Sequence, residues 1–306
     1  MRHVLIKPRA IFRHSHLAVL AASGPSEMPR ILDAVHHLEQ RGLRITLASN
    51  IDARHRGYLA GPDDTRVEEL NRSLRDPQFD GFLFARGGYG AMRILDRVDY
   101  AAIAANPRPI IGFSDVTALH QAIAIRANVA SFHGPMVNLD FYEGLSPDIE
   151  RWFWDVLAGN APLTWRFERD DVLQAGEAEG ILFGGCLSLI NALIGTPYDF
   201  WIDGGIWFWE DVDEKPYSLD RMLTHLLLSG RIQKLRGVII GKLKGCGSES
   251  EMLDLLREFF GSFDIPVVRN LPFGHGGDNL LMPIGTLVRL STADRELTIM
   301  ESAVSG

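Results

Sequence analysis

Short apolar runs alternate with helix-like patterns in the first half of the chain, and this alternation constrains the fold more than any other feature. The apolar run Leu17–Ala22 ends in a Ser-Gly-Pro turn, and apolar residues then recur at helical spacing up to Gly42. The same logic predicts strands at 45–48, 81–85, 109–113 and 129–132, and helices at 67–74, 91–95 and 117–125. Such alternation predicts a parallel sheet that is covered on both faces.

The pattern loosens around residues 147–169, where Gly159 and Pro162 act as breakers. Beyond it we predict helices at 187–193, 219–228 and 252–260, and strands at 206–209, 237–240, 287–290 and 297–300. A chain of 306 residues also favours two domains. We therefore expect an N-terminal α/β domain (1–165), a linker (166–175) and a smaller C-terminal α/β or α+β domain (176–306).

The composition argues against several classes of function. The chain has 39 acidic and 31 basic residues and a formal net charge of -8, which disfavours a general nucleic-acid binder. No apolar run approaches the ~20 residues that span a bilayer, and Met1–His16 lacks the apolar core and cleavage site of a signal peptide. Cys186 and Cys246 are the only cysteines, too few for a disulfide framework or a cysteine zinc cluster. We expect a cytoplasmic protein without nucleic-acid or membrane partners, metal or cofactor.

The strongest local signal is the segment Ile110–His120, where an apolar strand runs directly into Ser114 and a helix. The carboxyl ends of parallel strands form the usual ligand crevice, and a serine at such a corner can present its hydroxyl as a nucleophile. The backbone N–H of Asp115 would then point into the site and could stabilise an oxyanion. The segment lacks the G-x-S-x-G pattern, and a serine that only caps the helix is the alternative.

A glycine-rich turn, Ala85–Gly90, follows the preceding strand. Its glycines permit close backbone approach to a ligand, so the N–H of Gly88 is a candidate second oxyanion donor. Arg86 is a candidate anchor for a substrate carboxylate. The turn lacks the G-x-G-x-x-G spacing of a dinucleotide site, which disfavours a nicotinamide enzyme. An ordinary strand-to-helix turn is the alternative.

Two segments of the second half carry further candidates. The acidic run Glu210–Glu214 follows an apolar strand and predicts an acid/base pair, a metal site or a solvated loop. His275 lies between glycines in a predicted loop and is a candidate base, in competition with His133. A serine, a histidine, a carboxylate and two oxyanion donors are the groups that acyl transfer by a catalytic triad requires.

Six motifs in order resemble the LD-carboxypeptidases, a family of serine peptidases that includes the microcin C self-immunity peptidases. The motifs extend from about Ser23 to Gly285: Gly87–Gly90, Gly112–Asp115, His133–Met136, Gly184-Gly185, Glu210–Val212 with Tyr217 and Asp220–Leu223, and Gly274-His275 with Asn279 and Pro283–Gly285. One position departs from the family pattern: Cys186 stands where the family often has asparagine.

The resemblance implies a triad of Ser114 as nucleophile, His275 as base and Glu210 as the orienting carboxylate. It also implies an oxyanion hole from the backbone of Gly88 and Asp115. The family fold is a flavodoxin-like N-terminal domain that carries the serine and a smaller C-terminal domain that carries the other two residues, often in a homodimer. The implied reaction is hydrolysis of the L,D amide bond to the terminal D-alanine of a murein tetrapeptide in cell-wall recycling.

Two other interpretations remain open. A microcin-type immunity peptidase would use the same triad on a peptidyl- or aminoacyl-nucleotide. It would need an aromatic side chain that stacks on the base, for which Trp207 and Trp209 are candidates. A non-catalytic ligand-binding protein would keep the fold with an inactive site.

Overall fold

The computed structural model describes residues 5–306, which contain fourteen strands and eight α-helices. The strands are β1 (His16–Leu20), β2 (Arg44–Leu47), β3 (Gly81–Phe84), β4 (Ile110–Gly112), β5 (Ser131–His133), β6 (Leu163–Arg166), β7 (Val172–Gln174), β8 (Glu177–Cys186), β9 (Ile206–Val212), β10 (Gly237–Lys244), β11 (Val267–Val268), β12 (Met282–Ile284), β13 (Leu287–Ser291) and β14 (Glu296–Ile299). The helices are α1 (Met28–Gln40), α2 (Asp63–Arg75), α3 (Tyr100–Ala105), α4 (Thr117–Arg126), α5 (Pro147–Ala158), α6 (Leu187–Leu193), α7 (Pro216–Leu228) and α8 (Glu249–Phe260).

The first sheet has six strands in the order β12-β5-β4-β3-β1-β2. Strands β1 to β5 pair in parallel, and β12 is antiparallel to β5 at one edge. The central strands β3 and β4 are entirely buried because helices cover both faces. The predicted parallel α/β domain is confirmed, with one addition: its edge strand β12 comes from the far end of the chain.

The second sheet has eight strands in the order β6-β14-β13-β8-β9-β10-β11-β7. Strands β8 to β11 are parallel, and the flanking strands are antiparallel. The predicted two-domain α/β architecture is confirmed by this second mixed sheet. Because β8, β9 and β10 end at the same edge, side chains that follow these strands are brought together.

Helix α4 lies where the two sheets meet. Eight of its ten residues are buried, because the first sheet covers one side while α6 and β8 contact another. Buried residues therefore lie on every side of this helix, as in a helix within the core rather than at the surface. Its amino end at Thr117 therefore lies between the domains, directly after a 3-10 turn over Ser114–Val116.

The segment from 147 to 175 is more regular than the sequence suggested. Residues 147–158 form α5, and β6 belongs to the second sheet, paired with β14. Within the proposed linker 166–175, β7 pairs with β11 and extends the second sheet. The boundaries of the two domains stay a prediction.

The predicted helix at 91–95 is a 3-10 helix over Ala91–Arg97. The first four residues of Met1–His16, in which no signal peptide is predicted, lie outside the described residues; farther along, Leu5 and Ile11 are buried in the core. No helix between residues 5 and 306 is both long enough and apolar enough to cross a membrane.

Candidate active site

Ser114 occupies a sharp corner between β4 and α4. The strand ends at Gly112, Phe113 is extended, and Ser114 then adopts a positive φ of 60° before the helix begins. A non-glycine residue in this region costs about 1–2 kcal/mol because its Cβ crowds the following carbonyl. Such strain is typical of functional sites, and the predicted strand-to-helix corner at Ser114 is present.

The glycine-rich turn after β3 packs directly against this corner. A Cβ placed on Gly87 would lie 2.8 Å from Ser114 Oγ and 3.3 Å from the backbone nitrogen of Asp115. The carbonyl of Gly87 accepts a hydrogen bond from the N–H of Gly24 at 2.9 Å. Because this peptide is trans, the N–H of Gly88 points away from Gly24. The contact between Gly87 and Ser114 places the residues that carry the two candidate oxyanion donors, Gly88 and Asp115, on either side of one close approach.

Buried charges hold this turn in place. The Asp115 carboxylate accepts a hydrogen bond from Ala91 N–H at 2.8 Å, and burial raises its pKa. The fully buried guanidinium of Arg66 donates to the carbonyl of Gly90 at 2.9 Å and to that of Ala22. The pattern of the sequence does not single out Arg66, because an arginine within a polar helix such as α2 is normally a solvated residue.

His275 and Glu210 form the second half of the site. Glu210 lies in β9 with no exposed surface, and its Oε2 accepts hydrogen bonds from His275 Nδ1 at 2.7 Å and from the His275 backbone N–H at 3.2 Å. Since a carboxylate only accepts, Nδ1 carries the proton and Nε2 is left as the basic nitrogen. Asn279 steadies the loop, because its Oδ1 accepts from Gly274 N–H at 3.0 Å.

The electrostatics of the pair favour a protonatable histidine. Burial lowers the pKa of His275, but the hydrogen bond to Glu210 and the charge of that carboxylate outweigh it and raise the pKa. Residual exposure of the His275 side chain is 16%, so the ring remains accessible from the site. The imidazole is thus held in one tautomer, with Nε2 as its acceptor nitrogen.

Aromatic packing brings the two halves together. The ring of Phe113 meets the ring of His275 edge-on, with centroids 4.8 Å apart. Phe113 immediately precedes Ser114, so His275 lies beside the serine corner. The domains are also joined by a hydrogen bond of 3.0 Å from Cys186 N–H to Thr117 Oγ1.

His133, the competing base candidate, is not available to a substrate. It is completely buried behind Phe113 and between Phe208 and Phe273. Burial holds its pKa well below the usual range. It is a core residue of the domain seam.

The acidic run does not act as one cluster. The neighbour of Glu210, Asp211, accepts from the N–H groups of Ser188 (2.7 Å) and Val212 (2.9 Å), and burial together with the charge of Glu210 raises its pKa to about 6. The Cys186 thiol contacts the same carboxylate at 3.5 Å. Residues 5–306 contain no group of three or more His, Cys, Asp or Glu side chains arranged to hold a metal ion.

The prediction that Trp207 or Trp209 could stack on a base is wrong. Trp207 and Trp209 have no exposed surface and stack on each other at 5.7 Å. They lie in β9, between β8 and β10, where both faces of the strand are covered. The exposed aromatic residues beside the glycine-rich turn are instead Tyr89 and Tyr58, with ring centroids 5.9 Å apart.

Arg86 lies on the rim of the first domain. It is half-buried, and its Nη1 donates to the carbonyl of Pro25 at 3.0 Å. This contact fixes the guanidinium beside the glycine-rich turn. Its role as a carboxylate anchor stays a prediction.

Comparison with known proteins identifies the class. Residues 17–134 match the model of the LD-carboxypeptidase N-terminal domain, and residues 179–290 match that of the LD-carboxypeptidase C-terminal domain. The murein tetrapeptide carboxypeptidase of Pseudomonas aeruginosa is 32% identical over 83% of this chain and 86% of its own length. The chain belongs to the LD-carboxypeptidase family, a family of peptidases.

Solved structures agree with this fold. The muramoyltetrapeptide carboxypeptidase of Oxalobacter formigenes has a TM-score of 0.83 at 28% identity, over 93% of this chain and 97% of that one. The microcin C7 self-immunity protein MccF, known from Escherichia coli, has a TM-score of 0.91 at 23% identity, over 98% and 100% of the two chains. At that lower identity the likeness shows the fold alone.

The strain at Ser114 is testable with two matched variants that both lack the hydroxyl. Ser114→Gly is expected to unfold with a free energy about 1 kcal/mol higher than Ser114→Ala, because glycine adopts positive φ without a Cβ clash. Urea unfolding measures the difference. Equal stabilities would show that the corner is not strained.

The coupling between Glu210 and His275 is testable by titration. In Glu210→Gln the carboxylate charge is gone and burial remains, so the pKa of His275 is expected to fall from above to below its usual value of about 6.5. NMR follows the imidazole, identified by its absence in His275→Gln. The exposed Asp213→Asn change is the matched control; an unaltered His275 pKa in Glu210→Gln would contradict the coupling.

The close contact between Gly87 and Ser114 can be tested by adding a methyl group at Gly87. Gly87→Ala would place a methyl group against Ser114 Oγ and displace the turn that carries Gly88 N–H. We expect kcat for peptide hydrolysis to fall about a hundredfold or more, which is the usual effect of losing one oxyanion donor. Thermal unfolding is the control, and wild-type kcat would argue against the oxyanion assignment.

Proposed function

We propose that this protein is a serine-type LD-carboxypeptidase that hydrolyses the L,D amide bond to the terminal D-alanine of murein tetrapeptides. The observation that carries the proposal is the 2.7 Å pair of His275 and Glu210 packed beside the strained corner at Ser114. The family membership supports the same reaction class. The predicted cytoplasmic location, the role in cell-wall recycling and the homodimer belong to this proposal.

The proposed reaction has two stages. Nε2 of His275 accepts the proton of Ser114 Oγ while the oxygen attacks the scissile carbonyl, and Glu210 stabilises the imidazolium. The N–H groups of Gly88 and Asp115 stabilise the oxyanion, an effect of about 3–4 kcal/mol for each donor. The imidazolium then protonates the departing D-alanine amine, and an acyl ester remains on Ser114.

Water completes the cycle. His275 takes a proton from water, the hydroxide attacks the ester carbonyl, and the imidazolium returns the proton to Ser114 Oγ as the acyl bond breaks. Because His275 must be neutral to act as base, activity is expected to decline as the pH falls through its raised pKa.

Recognition of the leaving D-alanine is assigned to local groups. A protein with a net charge of -8 does not attract an anionic peptide through its overall field. Arg86, on the rim beside the glycine-rich turn, is proposed to bind the terminal carboxylate through the donors that its bond to Pro25 leaves free.

The test is release of D-alanine from a murein tetrapeptide. Wild type is expected to release it, whereas Ser114→Ala is expected to lose at least a thousandfold in kcat because the nucleophile is absent. Circular dichroism confirms that the variant is folded. Wild-type turnover by Ser114→Ala would refute the assignment of the nucleophile, and failure of an activated-serine probe to label Ser114 would favour a non-catalytic protein.

A microcin-type immunity peptidase is the second candidate. The exposed pair Tyr58 and Tyr89 favours it, because two half-exposed rings beside the glycine-rich turn are able to stack on a base. Incubation with an acyl-sulfamoyl adenosine separates the candidates. Its cleavage in preference to the tetrapeptide, with a loss on Tyr89→Ala, would select this second function.

A further inference from the structure

A cavity opens beside the loop that carries His275. It has a volume of about 570 Å³ and lies at the carboxyl end of β10. The polar groups of its wall are Lys242, Lys244, Glu249, Arg269 and Asn270. Nothing in the proposed reaction uses this cavity.

The charges of the wall are unbalanced. Arg269 is paired with Glu249 at 3.1 Å, but no carboxylate between residues 5 and 306 lies within ion-pair distance of Lys242 or Lys244. The wall thus carries three cations and one anion, on a chain whose net charge is -8. A concave surface with excess charge of one sign concentrates ligands of the opposite sign.

Lys242 connects the cavity to the candidate active site. Its backbone N–H donates to the carbonyl of Phe273 at 3.0 Å, and its side-chain stem lies against Gly276, where an added Cβ would be 2.3 Å from Lys242 Cγ. Gly276 directly follows His275. The neighbouring strand β9 carries Glu210, one strand away from Lys242.

We propose that this cavity binds a carboxylate on the acyl side of the peptide substrate, with Lys242 as the specificity-determining residue. The inference rests on the proposed peptidase function and specifies its substrate as a peptide with a second anionic group. The leaving D-alanine carboxylate is assigned to Arg86 on the first domain, whereas Lys242 belongs to the second. Two carboxylates on either side of the scissile bond would thus be held by cations on opposite domains, with that bond at the seam.

The experiment compares two tetrapeptides with the same free terminal carboxylate. In the first peptide all other carboxylates are also free, and in the second they are replaced by primary amides. Wild type is expected to favour the free acid about tenfold in kcat/KM, mainly through KM, since one charge-assisted hydrogen bond is worth about that factor. Lys242→Gln should reduce the preference to about twofold or less, and Lys242→Arg should retain it.

Lys234→Gln is the matched control. Lys234 precedes the amino end of β10 and pairs with Asp203 at 3.0 Å, so its loss should leave the tenfold preference intact. The same preference in wild type and Lys242→Gln, or no preference in wild type, would overturn the inference.

Binding measurements distinguish a failure of the carboxylate-binding role from a failure of the proposed reaction. Calorimetry with Ser114→Ala measures the affinity for both peptides without turnover. Charge-dependent binding without D-alanine release by wild type would refute the proposed reaction and support a carboxylate-binding role for the cavity. Release without charge dependence, or no binding of either peptide, would refute that role.

Discussion

The candidate site depends on how closely the backbone of the second domain approaches α4 of the first. A Cβ on Gly185 would lie 2.6 Å from the side chain of Thr117, so only glycine permits this contact. The next residue, Cys186, donates its N–H to Thr117 Oγ1. This contact sets β8 against the start of α4, and β9 with Glu210 pairs directly with β8. Ser114, the proposed nucleophile, and Glu210, the proposed carboxylate, therefore lie near each other although they belong to different domains.

Rigidity at the seam comes from buried polar groups with fixed partners. The Asp115 carboxylate accepts a hydrogen bond from Ala91 N–H, and the Arg66 guanidinium donates one to the carbonyl of Gly90. The Glu210 carboxylate accepts two hydrogen bonds from His275. A buried polar group that loses its hydrogen-bond partner costs about 1–3 kcal/mol, and more when the group is charged. Each pair therefore resists displacement, and a positive φ at Ser114 persists only because the surroundings fix it.

Periodicity explains which elements were predictable. The spacing of apolar residues predicts helix α6 with its observed bounds. It does not predict α5, although the buried residues Ile149, Trp152, Phe153 and Val156 recur at helical spacing, because the breakers Gly159 and Pro162 follow closely. Strand β8 was missed because three of its ten residues are glycine, which is depleted in strands. These glycines are present for close packing, which a single sequence does not reveal.

The sequence alone determined the α/β class, the strand-to-helix corner at Ser114 and the types of side chain available for acyl transfer. These follow from local periodicity and from turn chemistry. Only the tertiary structure decided which groups meet. Glu210 and Asp211 are neighbours in β9, and successive side chains point to opposite faces, so the first bonds His275 and the second bonds Ser188. His275 reaches the site while His133 is buried, because burial depends on contacts between residues far apart in the chain.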